Sequence, residues 1–318
     1  MTEPLLEVRR LCKTFYKRNN SSPDLPVRAV HEVSFHLNAG ESLGLVGESG
    51  CGKSTVARSV LRLTEPDSGD VLFQGASLLS LTPEALRGFR KEMQIIFQDP
   101  FASLNPKYKI RDILTEPFAI HGIKDPEIRR KRILELLEQV GLNEQQLDRY
   151  PHEFSGGQLQ RIGIARAIAL EPRLIVADEP VSALDVSIQA QIINLLMDLK
   201  DSGIAFLFIS HDMGVVERFC DRVAVMYLGR IVETARAGAL YAEPRHPYSE
   251  ALMAAVPRLD DTRAIQTEIL GDLPDPAHIP SGCAFHTRCP IKEAQCERSV
   301  PELKEVAPGH WVACHLRS

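Results

Sequence analysis

Ser42-Leu43-Gly44-Leu45-Val46-Gly47-Glu48-Ser49-Gly50-Cys51-Gly52-Lys53-Ser54-Thr55 is the stretch that decides the fold. Its first five residues have buried-strand length, and Ser54 to Leu63 reads as a helix. Between them stands G-x-x-x-x-G-K-[ST], whose glycines let the backbone turn tightly and present N–H groups to phosphates. The strand–loop–helix context is what this motif needs to be a phosphate-binding loop. The residues from Gly47 to Thr55 are therefore candidate nucleotide-binding residues, with Lys53 reaching the β- and γ-phosphates and the Ser54 hydroxyl ligating Mg2+. A second element, Phe154-Ser155-Gly156-Gly157-Gln158, opens a helix read over Gly157 to Leu170. A helix start offers N–H groups, and here a hydroxyl, to phosphate oxygens. Two phosphate-gripping elements in one chain imply a nucleotide sandwiched between two copies or two partners.

Length and composition set the bounds. A chain of 318 residues holds one large domain plus a small one, or two modest domains. Its 44% hydrophobic and 25% charged content is ordinary for a globular protein. The net charge of -5 argues against general nucleic-acid binding. The basic run Arg129-Arg130-Lys131-Arg132 precedes Ile133-Leu134-Glu135-Leu136-Leu137 and reads as a solvated helix face. Met1-Thr2-Glu3-Pro4 lacks the plan of a secretory signal, and no apolar run approaches the ~20 residues that cross a bilayer. A cytosolic chain that serves a membrane only by docking is expected. Cys12, Cys51 and Cys220 then read as reduced structural thiols.

Short strands are expected at Leu5 to Leu11, Val30 to Leu37, Glu41 to Val46 and Val71 to Gln74, separated by turn signals such as Asn38-Ala39-Gly40. Residues from about Pro100 to Tyr150 read as mostly helical. Leu174 to Ala177, Ile204 to Ser210 and Val223 to Tyr227 read as strands, with a helix over Ser187 to Lys200. Alternating strand and helix imply a mainly parallel sheet covered on both faces, and the early strands an added antiparallel layer. After about Gly238, prolines punctuate a smaller appendage.

Further chemistry sits at strand ends. Leu174-Ile175-Val176-Ala177 runs into Asp178-Glu179, which puts Asp178 where it can hold Mg2+ and Glu179 where it can act as general base toward the γ-phosphate. Gln98 and His211 each follow an apolar strand. Alone, the one reads as a polar loop residue and the other as a structural histidine.

The ordered set of phosphate loop, Gln98, Ser155-Gly156-Gly157-Gln158, Asp178-Glu179, Ser182-Ala183-Leu184-Asp185 and His211 resembles the ATP-binding cassette (ABC) ATPases over the first three quarters of the chain. The resemblance implies a P-loop NTPase fold with a RecA-like sheet, an antiparallel β subdomain, a helical signature subdomain at about 99–165 and a small cysteine-containing extension. The ATPase domain would span 1–238 and the extension 239–318. It makes Gln98 the Q-loop residue on Mg2+ and the attacking water, His211 the switch histidine at the γ-phosphate, and Asp185 part of a D-loop across a dimer interface. Ser155, Gly156, Gly157 and Gln158 would contact ATP in trans. An aromatic stacks on adenine, with Phe15 chosen over Tyr16; either residue reads equally well as core. Two cassettes would face head to tail, with ATP as the glue between them.

Gln98-Asp99-Pro100-Phe101-Ala102-Ser103-Leu104-Asn105-Pro106, Pro180 to Ser187 and His246-Pro247-Tyr248-Ser249-Glu250-Ala251-Leu252 look like the ATPases of bacterial dipeptide and oligopeptide permeases. That implies a related second ATPase as heterodimer partner, two membrane permeases docking near Gln98 to Tyr108, and a periplasmic or lipid-anchored peptide-binding protein. The place would be the cytoplasmic face of the bacterial inner membrane. Nickel, glutathione or antimicrobial-peptide transport stays open, as does a soluble ABC ATPase; a P-loop kinase would lack the Ser155 element. Cys283, Cys289, Cys296 and Cys314 follow C-x5-C-x6-C-x17-C, which is not a zinc-ribbon spacing. Four soft ligands in a module without an evident core suit a [4Fe–4S] cluster, with zinc or four free thiols as alternatives and His286, His310 and His315 as substitute ligands.

Overall fold

Alternating burial along Leu6-Glu7-Val8 begins the first strand of this computed structural model, which describes residues 3–19, 22–254 and 271–318. The chain divides into two units: Met1–Asn38, Ser42–Leu79 and Ile209–Ser318 in the first, Ala39–Glu41 and Ser80–Phe208 in the second. Strand β1 (Leu6–Asn19) pairs antiparallel with β2 (Ser22–Leu37), and a register shift between Val8 and Leu11 keeps both side chains buried while Arg9 and Arg10 face solvent. Strict alternation would have put Arg10 on the core face; the bulge re-phases the strand. Both strands run beyond the expected Leu5–Leu11 and Val30–Leu37. The extension is tolerated because β2 lies at the sheet edge, where Pro26, opposite Tyr16, can sit in a strand. After β3 (Ser42–Val46), β4 (Ser68–Phe73) and β5 (Ala76–Ser77) complete a four-stranded layer in the order β2-β1-β4-β5.

All five residues of β3 are buried. The helix after the loop is Lys53–Val60, shorter than expected. Arg62, left-handed at φ 50°, turns the chain away two residues beyond it.

In the second unit the strands are β6 (Met93–Ile96), β7 (Leu174–Asp178) and β8 (Ala205–Ile209), in the order β8-β7-β6, with β6 and β7 parallel. Every residue of β7 and β8 is buried, as expected for strands covered on both faces. The helices Ile110–Ile120, Pro126–Gln139, Gly156–Ile168 and Val186–Asp201 belong to the same unit. The basic run lies in Pro126–Gln139, whose buried side is Ile133, Leu136 and Leu137, and Asp125 caps its start by accepting from the Glu127 and Ile128 N–H groups. Among the described residues no helix is long and apolar enough to cross a membrane.

The chain returns to the first unit with β9 (Arg222–Tyr227), parallel to β3, and β10 (Arg230–Arg236), antiparallel to β9. The appendage adds β11 (Lys304–Ala307) and β12 (His310–Val312), in the order β11-β12-β10-β9-β3. It does not lack a core, contrary to the reading from composition. Phe285, Tyr248 and Tyr227 pack ring against ring at centroid distances of 4.7–5.5 Å, and all three are buried. Beneath them the Glu233 carboxylate, fully buried on β10, accepts from the backbone N–H groups of Arg245 and His246 and meets His310 Nε2 at 2.6 Å. His310 is thus taken up by a buried carboxylate rather than standing ready as a metal ligand. Residues 255–270 of the appendage lie outside the described residues.

His246 is 1% exposed, and its Nδ1 accepts from the Tyr248 N–H at 3.0 Å. Burial pushes its pKa from 6.5 down to about 3, so the folded imidazole is neutral. The unfolded chain takes up a proton below pH 6.5 that the folded chain refuses until about pH 3. This contribution to stability is therefore whole above pH 6.5 and shrinks as pH falls, by about 1.4 kcal/mol per unit. Urea midpoints compared at pH 7 and pH 5 should fall more steeply for the native chain than for His246→Phe.

Candidate nucleotide site

The loop after β3 is built by what its glycines permit. Gly52 has φ 107°, and a Cβ there would lie 2.0 Å from the Ala29 carbonyl oxygen, so no other residue fits. Lys53 is 4% exposed, and its ammonium donates to the carbonyl oxygens of Gly47 at 2.7 Å and Glu48 at 2.9 Å. The Cys51 sulfur lies 3.8 Å from the same nitrogen, and burial pushes this thiol's pKa up. The Glu48 N–H donates to the Tyr248 hydroxyl at 2.8 Å. Phe15 on β1 is 43% exposed with the Lys13 ammonium 5.5 Å from its ring centre, and Tyr16 is 68% exposed. Neither aromatic is core. His211 is exposed two residues beyond the end of β8, and Asp212 beside it caps the Met213–Phe219 helix by accepting from the Val215 N–H at 3.1 Å.

In the second unit the structure brings Gln98 and Glu179 together. The Gln98 amide donates to Glu179 Oε2 at 2.9 Å and approaches the Ser182 hydroxyl at 3.3 Å. Asp178, the last residue of β7, is 3% exposed. Glu179 follows in the left-handed region at φ 49°, which a β-carbon makes costly. The sharp turn aims its carboxylate out of the strand while Asp178 stays inside. Asp185 is exposed at the N-cap of Val186–Asp201.

The Ser155 element also caps its own helix, a role that its sequence spacing carries. Ser155 and Gln158 form a capping box: the Ser155 hydroxyl accepts from the Gln158 N–H, and Gln158 Oε1 accepts from the Ser155 N–H at 3.1 Å. S-x-x-Q is the spacing of that motif. The box satisfies the Ser155 and Gln158 N–H groups, while those of Gly156 and Gly157 in the first turn have no intrahelical acceptor by helix geometry. The two glycines thus present the donors, and the serine fixes the turn that aims them. Gly157 has a second reason to be glycine: a Cβ would meet Ile188 Cγ2 at 2.5 Å.

The four cysteines of the extension are Cys283 and Cys289, half-buried, and Cys296 and Cys314, buried. Burial lifts the Cys283 thiol to about 11, the Phe285 N–H pulls it back, and the sulfurs of Cys296, Cys314 and Cys289 push it further up. Burial also raises Cys289 and Cys314, opposed by the N–H groups of Ile291 and of Leu316 and Arg317 respectively. The donor type suits soft metals. Among the described residues, however, no group of three or more His, Cys, Asp or Glu is placed to hold a metal ion. Substitute histidines are engaged elsewhere: His286 Nδ1 at 2.9 Å from the Cys283 carbonyl, His315 Nε2 at 2.9 Å from that of Ser299.

A family profile described as ABC transporter matches residues 30–182, and one described as oligopeptide/dipeptide transporter, C-terminal region, matches residues 232–296. Over 317 residues the chain is 54% identical to a Brucella ovis protein that carries the provisional name peptide import ATP-binding protein, covering 99% of this chain and 98% of that one. The chain belongs to the ABC transporter ATPases. It is also 50% identical to the oligopeptide transport ATP-binding protein AppF of Bacillus subtilis, over 99% of this chain and 98% of that one. Among solved structures, a dimeric ATP-binding cassette in a post-hydrolysis state with ADP and Pi superposes with a TM-score of 0.65 at 29% identity, covering 73% of this chain and 98% of that one. The cassette cbiO1 of Clostridium perfringens, part of the ABC transporter complex cbiONQ, gives 0.64 at 28%, covering 76% and 92%. The expected α/β P-loop fold and the ATPase class both hold.

Gly157→Ala should lower the unfolding free energy by about 1–3 kcal/mol, because the added methyl overlaps a packed side chain. Gly156→Ala, whose Cβ would meet Leu184 Cδ2 at 3.5 Å, should cost less. Chemical denaturation of the two variants measures the difference.

Proposed function

We propose that this cassette energises the uptake of dipeptides and oligopeptides as one of two related ATPase subunits paired beneath two membrane permeases. What carries the peptide reading is the joining, in one chain, of an ABC cassette to an oligopeptide/dipeptide transporter C-terminal region. The names of the Brucella and Bacillus relatives support it. Phe101 and Tyr108, 55% and 45% exposed, supply apolar surface for the permeases in the segment where the resemblance puts their docking. A periplasmic or lipid-anchored binding protein would deliver the peptide. The cassette itself would sit on the cytoplasmic face of the inner membrane, its ATPase domain over 1–238 and its extension over 239–318.

The chemistry proposed for the pair follows from the donors each copy carries. The loop Gly47 to Thr55 of one subunit and the Gly156 and Gly157 N–H groups of the other would close on one triphosphate, with Asp185 at the same junction. Donors from both sides offset the phosphate charge, so ATP holds the pair shut and hydrolysis releases it. Hard oxygen donors of the kind Mg2+ requires are present in the Ser54 hydroxyl, the Asp178 carboxylate and the Gln98 amide. Bound Mg2+ would offset negative charge on the phosphates. Glu179 would polarise the attacking water, with Gln98 holding its carboxylate and His211 contacting the γ-phosphate, while Phe15 stacks on adenine. For the extension we propose a soft metal centre on Cys283, Cys289, Cys296 and Cys314, a [4Fe–4S] cluster before zinc; closure of the ligand set would have to accompany loading.

In vesicles rebuilt with the partner subunits, Glu179→Gln should keep ATP binding while turnover and labelled tripeptide uptake both drop by about 10²–10⁴-fold, the usual worth of a positioned base. Unchanged ATPase activity would remove Glu179 from its role, and uptake of nickel or glutathione instead of peptide would overturn the substrate class. For the cysteine module, anaerobically purified protein should be brown and carry iron and sulfide. Colourless protein with stoichiometric zinc favours the second metal, and colourless, metal-free protein removes the centre.

A further inference from the structure

The phosphate-binding loop carries a carboxylate of its own. Glu48 stands second in the motif, so a negative charge lies within the loop assigned to a triphosphate. A carboxylate there would repel the ligand unless it were neutralised and turned aside.

The structure supplies a cation from far along the chain. Arg288, 8% exposed, donates through Nη1 to Glu48 Oε2 at 2.7 Å and through Nη2 to Oε1 at 2.9 Å, a two-pronged fork spanning 240 residues of sequence. Nη1 also approaches the Tyr227 hydroxyl at 3.5 Å, and the guanidinium lies 5.9 Å from that ring's centre. Hydrogen bonding to Glu48 raises the Arg288 pKa, opposed by burial, so the guanidinium stays charged. The backbone of the same residue is gripped as well. The Glu48 N–H donates to the hydroxyl of Tyr248, whose ring is fully buried against Tyr227 and Phe285. The appendage therefore holds one loop residue at both its main chain and its side chain.

From this geometry we infer that Arg288 is a positioning residue of the nucleotide site. It cancels the Glu48 charge and fixes the loop's entry, which makes the appendage part of the ATP site of its own subunit. The inference rests on the reading of Gly47 to Thr55 as the triphosphate loop. Because the fork needs a planar guanidinium, lysine at this position restores the charge but not the two-point grip.

The test uses the assembled transporter, with ATPase kinetics and binding of a fluorescent ATP analogue as readouts. Arg288→Ala leaves an unpaired carboxylate in the loop and should raise the KM for ATP and the analogue Kd about tenfold, the scale of one unit charge acting on another at about 12 Å with an effective dielectric constant near 20. The change in kcat should be smaller. Adding Glu48→Gln to Arg288→Ala removes the offending charge and should bring KM back to within about threefold of the native value, with Arg288→Lys intermediate. An unchanged KM in Arg288→Ala overturns the inference. So does a double variant as impaired as the single one, since Arg288 would then only support the fold. Thermal midpoints check folding, and if Arg288→Ala does not fold, the double and lysine variants decide by the same KM criterion. Lys53→Ala, run alongside, separates the two levels: if it binds the analogue as the native chain does, the loop reading fails and not merely the role of Arg288.

Discussion

A backbone that must offer its N–H groups to phosphate cannot also spend them in a sheet or helix. The loop after β3 meets that constraint by turning so tightly that Gly52 approaches a neighbouring carbonyl too closely for any side chain. The parts around it follow: a fully buried strand before it to hold the position, a helix after it, and a lysine folded onto its carbonyls. The Ser155 element solves the same problem differently. A helix start leaves its first donors unspent, and the capping box fixes the turn that aims them.

The seam between β10 and the appendage in the first unit closes around a buried acidic side chain. Glu233 on β10 is fully buried, accepts from two backbone N–H groups and lies 2.6 Å from His310 Nε2. Removing any one partner would leave a buried polar group unsatisfied, which costs more than the contact contributes. The carboxylate thus fixes where the appendage lies on the sheet, and the Tyr227, Tyr248 and Phe285 rings fill the space around it. With that seam in place, Arg288 comes within reach of the phosphate-binding loop.

How much of this was legible beforehand depended on distance along the chain. The strand–loop–helix around Lys53 and the acidic end of β7 were legible because apolar runs and turn residues are local signals. The S-x-x-Q box was legible too, because its two partners stand three residues apart. The β10–β12 ladder was not. β11 and β12 have four and three residues, too few for a period to register, and prolines around them read as loop. Nor were the pairings of Glu48 with Arg288 or Glu233 with His310, which join residues 240 and 77 positions apart and leave no periodic trace. One clue was available: a lone acid inside a loop for anions calls for a cation somewhere. Position could not say which of the 37 Lys and Arg residues would answer.

The separation of Glu48 from Arg288 also orders events during synthesis. The loop itself emerges from the ribosome early, but β9, which pairs with β3, comes much later, and the guanidinium appears 240 residues after Glu48. Until then the carboxylate stands uncovered in the loop. A chain that stops short of Arg288 would therefore be a poor competitor for cellular nucleotide, and full affinity would wait for the appendage.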